Sequence, residues 1–170
     1  MIADKIIIAV LVSFLYLPVS AQTKKADSTG GEPTALSQSF AQNFGKLCLP
    51  VQGRLFSHNS HSHPPEGSSD LSVDIIALTV QDVLAAFDGI VTEVLPLAKD
   101  RTMVVLQHGQ YETVYNGVTN LKITKGTVIK KGQTIGTLAR DERGNLTLNF
   151  RIIVNKKREL DAIQSFPKIR

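Results

Sequence analysis

Three histidines, His58, His61 and His63, lead into two carboxylates, Asp70 and Asp74, over one short stretch. Imidazole nitrogen and carboxylate oxygen are ligands of hydrolytic zinc sites, where about three protein groups leave one position open for water. His61-Ser62-His63 can carry both rings on one side of an extended segment. His61, His63 and Asp74 therefore form one candidate metal set, with Asp70 as a further oxygen. The competing reading is a solvated loop, because HNSHSHPPEGSSD is polar and carries Pro and Gly. That composition favours the loop.

Other chemistries lack their parts. No Gly-x-Ser-x-Gly motif and no Gly-rich phosphate loop occur. Cys48, between Leu47 and Leu49, reads as a small buried apolar residue, and as the one cysteine it excludes an intramolecular disulfide. Asp141 and Glu142 read as solvated turn charges rather than a glycosidase pair, as do Lys130 and Lys131.

Residues 82–136 supply the scaffold. DVLAAFDGIVTEV, MVVLQHGQYETVY and TKGTVIKKGQTIG are β-branched runs broken at Asp88-Gly89, Gly109-Gln110, Lys125-Gly126 and Lys131-Gly132. Glycine takes positive φ without steric cost, so these pairs predict chain reversals between strands. His108, before Gly109, reads as a hairpin-turn residue. Further strands are expected at residues 53–56 and 73–78, the second carrying Asp74. NLTLNFRIIV, residues 145–154, alternates so that Leu146, Leu148 and Phe150 share one face and Thr147, Asn149 and Arg151 the other. With no Trp and 6% aromatics, Val, Ile and Leu must fill the core, which favours strands. The expected fold is all-β: an antiparallel sandwich or half-barrel of hairpins with little helix.

The flanks read differently. Lys5 and the apolar run at residues 6–17, followed by Val19-Ser20-Ala21, predict a signal peptide over residues 1–21 and hence export. The run is short for a membrane span, so no membrane contact is expected after cleavage. Residues 22–44 are polar and read as a linker, with a short helix possible over residues 35–44. The domain is expected over residues 45–166, closing on a turn or short helix at residues 160–166, with residues 167–170 as a tail. A charge of +4 from 19 basic and 15 acidic residues, without a basic run interleaved with aromatics, does not indicate nucleic acid.

The order of KLCLPVQGRL, VDIIALTVQDVLAAFDGIVTEV, VVLQHGQYETVY, ITKGTVIKKGQTIG and LTLNFRI resembles the lysostaphin/LytM-type zinc metallopeptidase domain, which cleaves peptidoglycan cross-bridges. That family places its first zinc ligands as His-x-x-x-Asp; here Asp74 keeps the Asp and Asp70 stands at the His. A catalytic His follows a hairpin Tyr by two, and after Tyr115 and Asn116 that place holds Gly117. A late His-x-His is replaced by Thr147-Leu148-Asn149. His108-Gly109 matches a His-Gly pair that is not a ligand in the family.

The resemblance thus implies a lost zinc site, no cofactor and no hydrolysis, as in degenerate activators of the EnvC/NlpD type, which act on peptidoglycan amidases during cell division. The expected function is a non-catalytic protein of the periplasm or cell envelope that binds and activates a murein hydrolase, peptidoglycan itself being a further partner. The emptied groove would comprise Asp70, Asp74, Tyr115, Asn116, Gly117, Thr147, Asn149 and Arg151. Arg151 would replace the cation's charge and pair with Asp74, or stand as an ordinary exposed strand residue. Two alternatives remain: a zinc endopeptidase rearranged around the loop histidines, and a wall-binding module holding anionic polymer.

Overall fold

The computed structural model describes residues 34–57 and 70–168. His58, His61, His63 and the expected signal segment lie outside them. The described chain forms helix α1 (Ala35–Gln42) and ten strands. These are β1 (Arg54–Ser57), β2 (Val73–Ala77), β3 (Asp82–Leu84), β4 (Gly89–Pro96) and β5 (Thr102–His108). There follow β6 (Tyr111–Thr119), β7 (Val128–Ile129), β8 (Thr134–Leu138), β9 (Leu146–Val154) and β10 (Arg158–Leu160). A 3-10 turn, Ala162–Ser165, lies inside the segment expected to close the domain.

All pairings are antiparallel, and the sheet runs β1-β2-β9-β6-β5-β4-β7. β10 extends it on β9, while β8 joins β6 to β3. The all-β expectation holds, as one open sheet. The centre is β4, β5 and β6, with Gly109-Gln110 making the two-residue reversal between β5 and β6. The alternation read in residues 145–154 is realised in β9: Leu146, Leu148, Phe150 and Ile152 are buried, and Arg151 is exposed. Val73, Ile75, Leu106, Tyr115 and Ile129 complete a core of mostly aliphatic side chains.

Three expectations need correction. Residues 35–42, assigned to the linker by composition, form the short helix expected within residues 35–44, but that helix is packed on the sheet. Thr34 caps α1 by accepting the Ser37 N–H at 3.2 Å, Ser37 Oγ accepts the Gln110 N–H at 2.8 Å, and Phe40 is fully buried. The compact unit therefore starts upstream of Gly45. Gly89 is not a reversal residue but the first residue of β4. A Cβ there would stand 2.6 Å from His108 Nδ1 and 2.7 Å from the Gln107 carbonyl, so only glycine lets β4 approach β5 this closely. Cys48 is half-buried rather than buried, with its thiol 3.6 Å from the Leu49 carbonyl.

His108 is the end of β5 and wholly buried. Its Nδ1 lies 2.6 Å from the Asp88 carbonyl, which can only accept, so Nδ1 carries the proton and Nε2 accepts from the Thr113 hydroxyl at 2.8 Å. The Tyr115 hydroxyl lies 3.2 Å from Thr113 Oγ1 and accepts the Ala86 N–H at 2.8 Å. Every polar group in this buried chain has a partner. Phe40 stacks on His108 at 4.9 Å and on Tyr111 at 4.7 Å, and meets Phe87 edge-on at 5.3 Å.

Candidate functional site

On the face of the sheet opposite the core, strand register assembles a row of polar residues. Asp74 of β2 lies opposite Asn149 of β9, Asn149 opposite Asn116 of β6, and Asn116 opposite Met103 of β5. Arg151, two residues along β9, lies opposite Val114, and Val114 opposite Val105. Facing residues on paired strands sit about 5 Å apart, so these side chains touch across the sheet. Met103, Val105, Val114, Asn116, Asn149 and Arg151 line a groove of about 440 Å3 together with Glu93, Glu112, Ile153 and Lys156, and Asp74 stands beside it on Asn149.

Asn149 is the hub. Its Nδ2 donates to Asp74 Oδ1 at 2.8 Å and to Ser72 Oγ at 3.1 Å, while its Oδ1 accepts from Arg151 Nε at 3.2 Å. Turning the amide over would set its oxygen against a carboxylate and its N–H groups against a guanidinium, so the network itself fixes the orientation. Arg151 also stands 4.0 Å from Asp70 Oδ2 and 3.9 Å from Glu159 Oε1. Asp70 in turn accepts the Ser72 N–H at 3.0 Å. The expected link from Arg151 to Asp74 therefore runs through Asn149, and its ion pairs are with Asp70 and Glu159.

A second guanidinium closes the other side. Arg101, just ahead of β5, donates from Nη2 to Asn116 Oδ1 at 3.4 Å, and its Nε is buried without a hydrogen-bond partner. Gly117 sits at φ +114°, where the β5–β6 register slips. A Cβ on Gly117 would meet the Thr147 carbonyl at 2.6 Å and Arg101 Nη2 at 3.4 Å. An imidazole at this position would require β9 to move. The place is taken by backbone and by Arg101.

Not all expected groove residues are there. Tyr115 is fully buried on the core face, held by Ala86 and Phe150, because its neighbours Asn116 and Val114 already face the groove. Thr147 is half-buried, its hydroxyl 3.5 Å from Asp141 Oδ2. Asp141 organises the preceding turn. Burial raises its carboxyl, but N–H donors of Asn145 and Arg143 outweigh that and hold it below the ordinary 3.8. Asp70, Asp74, Asn116, Asn149 and Arg151 come together in this network. Arg101, Ser72 and Glu159 were not anticipated; Lys99-Asp100-Arg101 looks like any polar turn, and nothing local marks its guanidinium as bound for Asn116. Among the described residues no three His, Cys, Asp or Glu side chains are placed to hold a metal ion.

Residues 69–161, more than half of the chain, match Peptidase family M23. The chain belongs to that family. No curated protein matches it in sequence. Among solved structures, this M23 chain resembles Helicobacter pylori Csd3 at 24% identity and a TM-score of 0.59, over 73% of this chain and 34% of that one. It thus spans about a third of Csd3. A zinc containing peptidase from Vibrio cholerae follows at 23% identity and a TM-score of 0.53, over 68% of this chain and 37% of that one. The structure of the SpoIIQ-SpoIIIAH pore forming complex contains a similar chain at 16% identity and a TM-score of 0.59, over 73% of this chain and 92% of that one. These likenesses are likenesses of fold.

Proposed function

We propose that this M23 domain is a non-catalytic envelope protein that docks a separate peptidoglycan hydrolase, an amidase above all, and shifts it towards its active state. The Asn149 amide carries the reading. At a position where the family carries an imidazole, it turns an N–H donor towards Asp74 Oδ1, and its oxygen already receives a guanidinium N–H, so it offers zinc no free ring nitrogen. Gly117 and Thr147 provide no imidazole to move a proton. The residues at these positions do not fit zinc, and no hydrolytic step is assigned to them.

What remains suits docking. Met103, Val105 and Val114 form an apolar floor, and Asn116, Asn149 and Arg151 present polar groups beside it. A partner segment seated there changes the partner's conformation only through differential contacts, which such a mixed surface supplies. That a similar fold occurs in the SpoIIQ-SpoIIIAH complex supports protein docking as a use of this fold. The apolar run at residues 6–17 and the small residues after it support export to the periplasm or envelope.

The test combines the chain, an amidase of the source cell and purified sacculi, with release of soluble fragments as the readout. The chain alone should release nothing, and should raise amidase turnover severalfold. Met103→Glu, which charges the groove floor, should abolish that gain without unfolding the domain. Peptide-bond cleavage by the chain alone, abolished by a chelator, would overturn the reading in favour of a zinc site built from His61 and His63. Salt-sensitive retention on sacculi without stimulation would overturn it in favour of wall binding.

A further inference from the structure

We infer that Arg151 is the resident cation of this site: a guanidinium tethered to β9 holds, by charge, the place that the M23 family gives to zinc. Its Nε is hydrogen-bonded to Asn149 Oδ1 at 3.2 Å, and Asn149 carries the connection on to Asp74 at 2.8 Å. Its other contacts are carboxylates on two further segments, Asp70 at 4.0 Å and Glu159 at 3.9 Å. Two carboxylates, from the approach to β2 and from β10, thus flank one positive group, and a third, Asp74 of β2, is joined to it through the Asn149 amide. Glu159 Oε1 is buried and makes no hydrogen bond, and the Arg151 guanidinium stands 3.9 Å from it as a counter-charge.

A cation of this kind differs from a metal in two respects. Guanidinium offers only N–H donors and has no empty orbital, so it balances the carboxylates without polarising a carbonyl or a water. It also repels any divalent ion that would compete for the same oxygens. Restoring the family's imidazoles should therefore be insufficient to restore zinc binding, because the positive charge is already present.

This inference rests on the reading that the wild-type groove takes up no zinc, and the experiment separates the two. Zinc alone is titrated calorimetrically into four full-length proteins in which His58, His61 and His63 are alanine. They are the otherwise unchanged chain, Arg151→Ala, Asp70→His/Asn149→His, and Asp70→His/Asn149→His/Arg151→Ala. Removing a unit charge a few ångströms from a divalent ion at the protein surface should tighten binding by about tenfold or more. The triple substitution should thus bind one zinc at least about tenfold more tightly than the double. Arg151→Gln in place of Ala repeats the comparison should the alanine variant melt early. Equal zinc affinity with and without Arg151 would overturn the inference. Tight zinc in the otherwise unchanged chain would instead overturn the reading beneath it.

Discussion

Replacing Phe40 by alanine should cost about 3–5 kcal/mol, the range for emptying a fully buried aromatic site. The ring is enclosed by Phe87, His108 and Tyr111 and has no exposed surface, so its loss leaves a cavity between α1 and the β5–β6 reversal. A domain of this size has roughly 5–15 kcal/mol in total, so the variant should approach its unfolding threshold near body temperature. Urea unfolding of wild type, Phe40→Ala and the exposed control Gln42→Ala measures this directly. A loss below about 1 kcal/mol would mean that α1 is an appendage and that the domain begins near Gly45 after all.

Acid should destabilise the fold in a defined window. Burial pushes the His108 ring down from 6.5 to about 4, against the opposing pull of the Asp88 carbonyl and charge. Above pH 6.5 the ring is neutral both folded and unfolded, so stability does not vary with pH through this group. Between 6.5 and about 4 the unfolded chain binds a proton that the folded chain refuses, and stability falls by about 1.4 kcal/mol per pH unit, roughly 3 kcal/mol in all. Asp88 and Asp141 are held below 3.8, so their contributions are lost only at still lower pH. His108→Gln should be less stable at neutral pH but flat across the window. A wild-type curve that is itself flat from 6.5 to 4 would contradict a buried neutral ring.

Which parts were legible from residues alone follows from what each residue answers to. β9 was legible because one of its faces is core and the other groove, so alternation separates Leu148 and Phe150 from Asn149 and Arg151. β6 was not, because Thr113, Val114 and Tyr115 are all buried and alternation is silent about which face Tyr115 takes. Helix α1 is short and lacks acidic residues in its first turn; what holds it is the stacking of Phe40 on rings far along the chain. Gly89 looked like a reversal because Asp-Gly usually is one, and only the packing of His108 against it shows otherwise. In the site, family spacing located Asp74 and Asn149, but the amide's orientation depends on Ser72 and Arg151 together. Arg101 reaches Asn116 from a loop whose own sequence carries no sign of it.

We propose that the Asn149 hydrogen bonds and the Arg151 guanidinium leave this M23 groove without zinc. Metal analysis of the wild-type chain, purified from its own cells without chelator and dialysed to constant composition, tests it most directly. The expected result is zinc far below one equivalent per chain and sacculi left intact by the same preparation. One full equivalent of zinc, removed only together with a peptidoglycan-cleaving activity, would contradict it.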